Sequence, residues 1–214
     1  MIIDMDLRGK TVVIFGGGTV GERKATKFLT AGASVIVASK DFTEKLRRLS
    51  SRKKLELIHA DLETAPEKIK TLSSSANLIV VATNRPEINR RVGDEAKKRR
   101  IPVNVADRPY LGDFTMPDTS RIGEFRIAVS TGGKSPAMSR VLRNRIEELI
   151  RDEDILMVRL QSYARELARA RIPDQWSRKK VLDTVMRDKK IRQALKKGRL
   201  QDAKHLTRRI IGGC

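Results

Sequence analysis

One stretch limits the folds open to this chain more than any other. Residues 12–39 read VVIFGGGTVGERKATKFLTAGASVIVAS. A short apolar run rich in β-branched residues stops at three glycines, a helical pattern follows, and Gly32 ends it before a second apolar run. The spacing Gly16-x-Gly18-x-x-Gly21, placed after a strand and at the start of a helix, is the arrangement that cradles a dinucleotide pyrophosphate. Gly16 permits the tight turn, Gly18 lets backbone approach the phosphates, and Gly21 lets the helix lie close to the strand. The amides of Thr19, Val20 and Gly21 then point at phosphate with the helix dipole behind them.

The second run breaks the pattern. Where such a strand usually closes on Asp or Glu, this one closes on Ala38-Ser39-Lys40. A carboxylate there accepts hydrogen bonds from both ribose hydroxyls and repels a 2′-phosphate. Ser39 can bond one hydroxyl, Lys40 tolerates a phosphate, and Asp41 offers an acid slightly later. From these residues alone the choice between NAD and NADP stays open.

Strand and helix patterns keep alternating as far as Asp107. Apolar runs at 55–60, 77–83 and 101–107 are separated by helical stretches, two of which carry Pro66 and Pro86 in their first turns. Nearly continuous apolar strands separated by helices predict a parallel sheet covered on both faces, a doubly wound α/β fold. Asp107 closes the fifth run, at the carboxyl edge where such sheets place ligands.

After Asp107 the pattern changes. Residues 113–116 and 125–130 read as short strands, and a helix starts at the Ser135 cap and Pro136. Met138, Val141, Leu142, Ile146, Leu149 and Ile150 fall on one face of it. This segment is too small to bury itself and must pack on the first domain or on a second copy. From about residue 155 the chain is helical and basic. Residues 151–214 hold 18 Lys and Arg against 8 Asp and Glu, half of the formal net charge of +20. The expected division is 1–112, 113–150 and 151–214.

That charge attracts polyanions: nucleic acid, an anionic surface or a small polycarboxylate. Aromatic residues make up only 4%, which leaves few stacking platforms for single-stranded nucleic acid, and regularly spaced Leu, Ile and Val in the tail argue for packing. No apolar run approaches the roughly 20 residues of a membrane helix, and the start of the chain lacks a signal-peptide layout. A cytoplasmic location is expected, with no membrane partner and no specific nucleic-acid partner. The lone cysteine, Cys214, can form no internal disulfide, and no spacing of His59, His205 and Cys214 resembles a metal site. No metal ligand is assigned.

GGGTVGERKATKFLTAGASVIV, LIVVATNRPEINRRV, IPVNVADRPYLGDFTMP and RIAVSTGGKSPAMSRVLRNRIEELI, in this order, resemble the precorrin-2 dehydrogenase family of siroheme biosynthesis. The resemblance runs through about residues 3–150, and the tail matches only in kind and position. It implies a Rossmann domain, a small α+β dimerisation segment and a C-terminal helical domain. It further implies NAD-dependent oxidation of precorrin-2, a tetrapyrrole with eight carboxylates, to sirohydrochlorin, with Fe²⁺ insertion to siroheme in some members. By position, Asp107 of NVAD corresponds to the family's catalytic aspartate. Thr19, Val20, Lys40 and Asp41 correspond to dinucleotide contacts, and Thr83 and Asn84 follow the fourth strand where the nicotinamide half runs. The loop STGGKSP corresponds to one at the boundary of dimer and active site. Its Ser130, Gly132, Gly133 and Lys134, together with Arg108, are the candidate substrate contacts, and Arg140 and Arg143 lie near its edge. Homodimerisation through 113–150 is expected. The rival readings are a basic nucleic-acid-binding protein with a vestigial Rossmann domain and a chelatase without dehydrogenase activity; the intact glycine turn speaks against the latter.

Overall fold

In the computed structural model, which describes residues 2–212, the five apolar runs of the first half become five parallel strands. They are β1 (Thr11–Phe15), β2 (Ser34–Ser39), β3 (Glu56–His59), β4 (Leu78–Val81) and β5 (Val103–Val105), in the order β3-β2-β1-β4-β5. Helices α1 (Thr19–Thr30), α2 (Glu44–Ser51), α3 (Glu67–Ser73) and α4 (Pro86–Lys98) make the crossovers. Strand direction explains the two cores. Val13, Phe15, Ile79 and Val81 face α3 and α4, where Ile69, Leu72, Ile88 and Val92 meet them. Their neighbours Val12, Ile14, Leu78 and Val80 face α1 and α2 and meet Ala25, Phe28 and Leu46. Because β1 sits between β2 and β4, the chain turns to opposite sides from adjacent strands, and a crevice opens at their carboxyl ends.

Two expectations need correction. Strand β5 is only three residues long, so Asp107 stands two residues beyond it in a turn. Residues 113–116 are not a strand. The alternation of Phe114 and Met116 is that of an extended strap whose apolar side chains pack on the core. It has too few backbone partners for a ladder. Asp113 N–H donates to Val103 O at 2.8 Å, the Asp113 carboxylate accepts from Val103 N–H at 2.9 Å, and the Asn104 amide donates to Phe114 O at 2.8 Å. A Cβ at Gly112 would lie 2.7 Å from Val103 O, so glycine is what lets the strap close over this sheet edge.

The Lys24 amine holds the strap from beneath. It donates to the buried Asn104 side chain at 2.6 Å and lies 3.6 Å from Met116 Sδ. Burial, then the charges of Arg23 and Lys27, push its pKa down to about 8. Between that value and 10.5 the unfolded chain binds a proton that the folded chain does not, so this group makes stability rise with pH in that window. Urea unfolding at pH 8 and pH 10 is expected to show a gain of about 1–2 kcal/mol from this source, discounted because water still reaches the amine. The gain should be missing from Lys24→Met.

The contacts divide the chain into one unit ending at Met116 and another beginning at Pro117. The strap thus goes with the sheet, and 117–150 go with the tail, rather than 113–150 standing alone. The second unit holds a hairpin, β6 (Asp118–Ile122) and β7 (Phe125–Val129), then α5 (Pro136–Leu149), α6 (Asp152–Arg171), α7 (Gln175–Arg187), α8 (Lys189–Lys196) and α9 (Leu200–Gly212). The reason for the joining is contact. At the hairpin turn Gly123 has φ +56° and packs on Ile155 of α6, and Glu124 accepts from Arg159 at 2.8 Å. Leu160, Ala164, Val185, Ile191, Leu195 and Ile211 form the core of the helical part. On α5 the apolar face stays open, with Met138 54%, Leu142 45% and Leu149 74% exposed. No helix among the described residues is long and apolar enough to cross a membrane. Cys214 lies outside the described residues.

Candidate active site

The glycine turn is built by exclusion. A Cβ on Gly16, whose φ is +118°, would meet Ala82 O at 2.4 Å. One on Gly17 would meet Asp41 O at 2.3 Å, and one on Gly21 would meet Gly16 O at 1.9 Å. These three glycines are required by the protein's own packing. Gly18 differs, because nothing lies within 4 Å of the place its Cβ would occupy. Its backbone is extended (φ −79°, ψ −172°) and caps α1, whose ladder opens with Glu22 N–H donating to Gly18 O at 2.9 Å. The amides of Thr19, Val20 and Gly21 precede that first bond and have no carbonyl a turn behind them. A helix N-terminus with free amides and an open glycine in front of it fits a pyrophosphate.

A cavity of about 650 Å³ spreads from this turn along the carboxyl edge. Nine of the ten residues expected at the cofactor line it: Gly16, Gly18, Thr19, Val20, Ser39, Lys40, Asp41, Thr83 and Asn84. The tenth, Gly21, sits behind them and seats the helix on the turn. The sequence reading missed Asp61, Glu63 and Arg85, which line the same cavity. Ser39 pairs with His59 across β2 and β3, so Lys40 and Asp61 emerge close together past the strand ends and approach to 3.4 Å. Arg85 lies 3.2 Å from Glu63. The backbone N–H of Glu63, with Lys40 also contributing, holds the Asp61 carboxyl below its ordinary range. Position just past the third strand was the available signal, since every strand of a parallel sheet delivers its next residues to this edge.

Asp107 lies outside the cavity lining but is tied to it. Asn89, 2% exposed on α4, donates to Asp107 Oδ1 at 3.0 Å and to Thr83 O at 3.2 Å. Its own oxygen accepts from the Thr83 hydroxyl at 2.5 Å. A buried amide with both ends satisfied thus joins the turn after β4 to the turn after β5 and fixes one carboxylate oxygen. The other oxygen faces the Arg108 guanidinium at 3.9 Å, and the Asp107 side chain remains 40% exposed, open to a reactant.

Ser130, Gly132, Gly133 and Lys134 belong to the second unit. There Gly132 (φ +63°) and Gly133 (φ +83°) turn the chain into α5, Gly132 N–H donates to Ser130 Oγ at 3.2 Å, and Ser135 caps the helix through Met138 N–H. Ser130, Gly132, Gly133 and Lys134 are exposed. Arg143 is otherwise engaged: it pairs with Asp118 at 2.8 Å and with Glu147, so it is a clasp of hairpin to helix. His59 and His205 are both exposed.

A parallel sheet with a glycine turn at its switch point, and a cavity along its carboxyl edge, defines a dinucleotide-binding unit of the Rossmann class. A family model described as NAD(P)-binding matches residues 3–118, and one described as sirohaem biosynthesis protein, central, matches 126–149. The chain is 37% identical to the precorrin-2 dehydrogenase of Methanosarcina barkeri over 85% of its own length and 80% of that protein. It is 31% identical to a siroheme synthase of Methylobacillus flagellatus over 99% of its length but 44% of that longer protein. The solved structure of SirC, a precorrin-2 dehydrogenase, superposes with a TM-score of 0.74 over 98% of this chain and 99% of that one; at 21% identity this speaks for the fold. The chain belongs to the precorrin-2 dehydrogenase family.

Proposed function

We propose that this protein oxidises precorrin-2 to sirohydrochlorin with NAD⁺ in siroheme biosynthesis. The observation that carries the reading is Asp107, held by Asn89 beside the loop that carries Thr83 and Asn84, within a chain of this family. Bound NAD⁺ supplies a hydride acceptor. The glycine turn and the amides of Thr19, Val20 and Gly21 hold the pyrophosphate. Ser39 and the acids at the edge accept hydrogen bonds from the ribose, and Thr83 and Asn84 flank the nicotinamide half. Oxidation removes a hydride and a proton from the macrocycle, and the exposed Asp107 oxygen takes the proton. Arg108 is the candidate contact for substrate carboxylates in the first unit, and Ser130, Gly132, Gly133 and Lys134, of the loop before α5, are those of the second. The uncovered α5 face supports a homodimer, because large apolar side chains in a contiguous row mark an interface.

The test is incubation of the protein with precorrin-2 and NAD⁺ or NADP⁺, with and without Fe²⁺, following the absorption of sirohydrochlorin and siroheme. Oxidation with NAD⁺ by a protein that sediments as a dimer is expected. No oxidation with either nucleotide would refute the reading.

A further inference from the structure

We propose that Asp61 is the residue that selects NAD over NADP, by taking the place of the acid missing from the end of β2. The inference rests on the dinucleotide reading above and deepens it. The strand that normally supplies the ribose carboxylate ends in Ser39-Lys40, and a free lysine there would welcome a 2′-phosphate. In the folded chain that lysine is not free. Its Nζ lies 3.4 Å from Asp61 Oδ2.

The two partners are not equally held. Asp61 Oδ1 accepts from Glu63 N–H at 3.0 Å, and Asp61 O accepts from Ala65 N–H at 2.9 Å, so a turn fixes the carboxylate against the edge. The Lys40 side chain is 70% exposed against 33% for Asp61. The acid is thus held by its own turn, and the exposed lysine comes to it. The second cation of the cavity, Arg85, is engaged by Glu63. The charged lining thus comprises two cations, each paired, and three carboxylates, counting Asp41, an excess of one negative charge. A ribose with a free 2′-hydroxyl can donate to such an edge. A 2′-phosphate must first draw Lys40 away from Asp61 and then lie beside the uncompensated acid, which like-charge repulsion opposes. Register makes this possible: with Ser39 opposite His59, the third strand delivers its acid to the place that the second strand normally serves.

The experiment measures binding of NAD⁺ and of NADP⁺ by calorimetry, without tetrapyrrole, to wild type, Asp61→Asn and the double variant Lys40→Met/Asp61→Asn. Asparagine keeps an oxygen for Glu63 N–H, so the turn survives. Wild type is expected to prefer NAD⁺. In Asp61→Asn the ratio of affinities should move toward NADP⁺ by about tenfold or more, and the double variant should lose that gain because Lys40 supplies it. A wild type that binds NAD⁺ and an Asp61→Asn variant whose ratio stays within about twofold would overturn the assignment while leaving the dinucleotide reading intact. A gain that persists without Lys40, or a wild type that prefers NADP⁺, would overturn it equally. Wild type that binds neither nucleotide removes both the assignment and the reading beneath it.

Discussion

Asp107→Asn is expected to lower precorrin-2 turnover by about 10²–10⁴-fold, the contribution of a positioned acid–base group, while NAD⁺ affinity stays within about twofold. Asparagine is the informative replacement. Its oxygen can still accept from Asn89 Nδ2, now 3.0 Å from Asp107 Oδ1, so the link to Thr83 and the turn after β5 keep their shape. What disappears is the negative charge and the ability to take up a proton. Initial rates give the turnover, and calorimetry without tetrapyrrole gives the nucleotide affinity. Loss of both together would mean that the residue shapes the cofactor site instead, and turnover near the wild-type value would remove Asp107 from the mechanism.

The second large effect separates the glycines by cause. Gly18→Ala is expected to weaken NAD⁺ binding by about 10²-fold, the scale on which a misplacement near 1 Å is felt, with the fold kept. Nothing in the protein stands within 4 Å of that methyl group and the backbone there is unstrained, so the obstruction falls on the ligand alone. The remaining cost is that of alanine as a helix cap, about 1 kcal/mol at most. Gly21→Ala must behave differently. Its methyl would lie 1.9 Å from Gly16 O, so the turn itself has to open, and a stability loss of about 1–3 kcal/mol should accompany the loss of binding. Thermal unfolding beside nucleotide titration distinguishes the two. A Gly18→Ala protein that binds NAD⁺ normally would mean that the pyrophosphate does not pass over this residue.

The sheet was readable because its cause is local. Runs such as Val12–Phe15 and 78–81 are apolar at successive positions, as only strands covered on both faces need to be, and proline or glycine marks the ends of the helices between them. The strap at 113–116 was not readable. Phe114 and Met116 alternate as in a strand, but whether an extended segment gains a ladder depends on a partner elsewhere. Here the partner offers only Val103 and the side chain of Asn104. Residues 113–150 likewise read as a separate segment because nothing nearby in sequence predicts that Gly123 and Glu124 meet Ile155 and Arg159 of α6.

The candidate site divides along the same line. The sequence by itself determined the glycine turn, the parallel sheet and the edge at which Asp107 had to stand, because each depends on residue type and spacing along one stretch of chain. It also carried the family resemblance, whose motifs lie in a fixed order. Only the tertiary structure decided what surrounds Lys40. Asp61 lies 21 residues from it in sequence and comes to its side because β3 pairs with β2 in one register. Asn89 reaches Asp107 for a similar reason, across the gap between α4 and the turn after β5. Contacts of this kind depend on how strands and helices are ordered in space, and the linear order of residues does not state that.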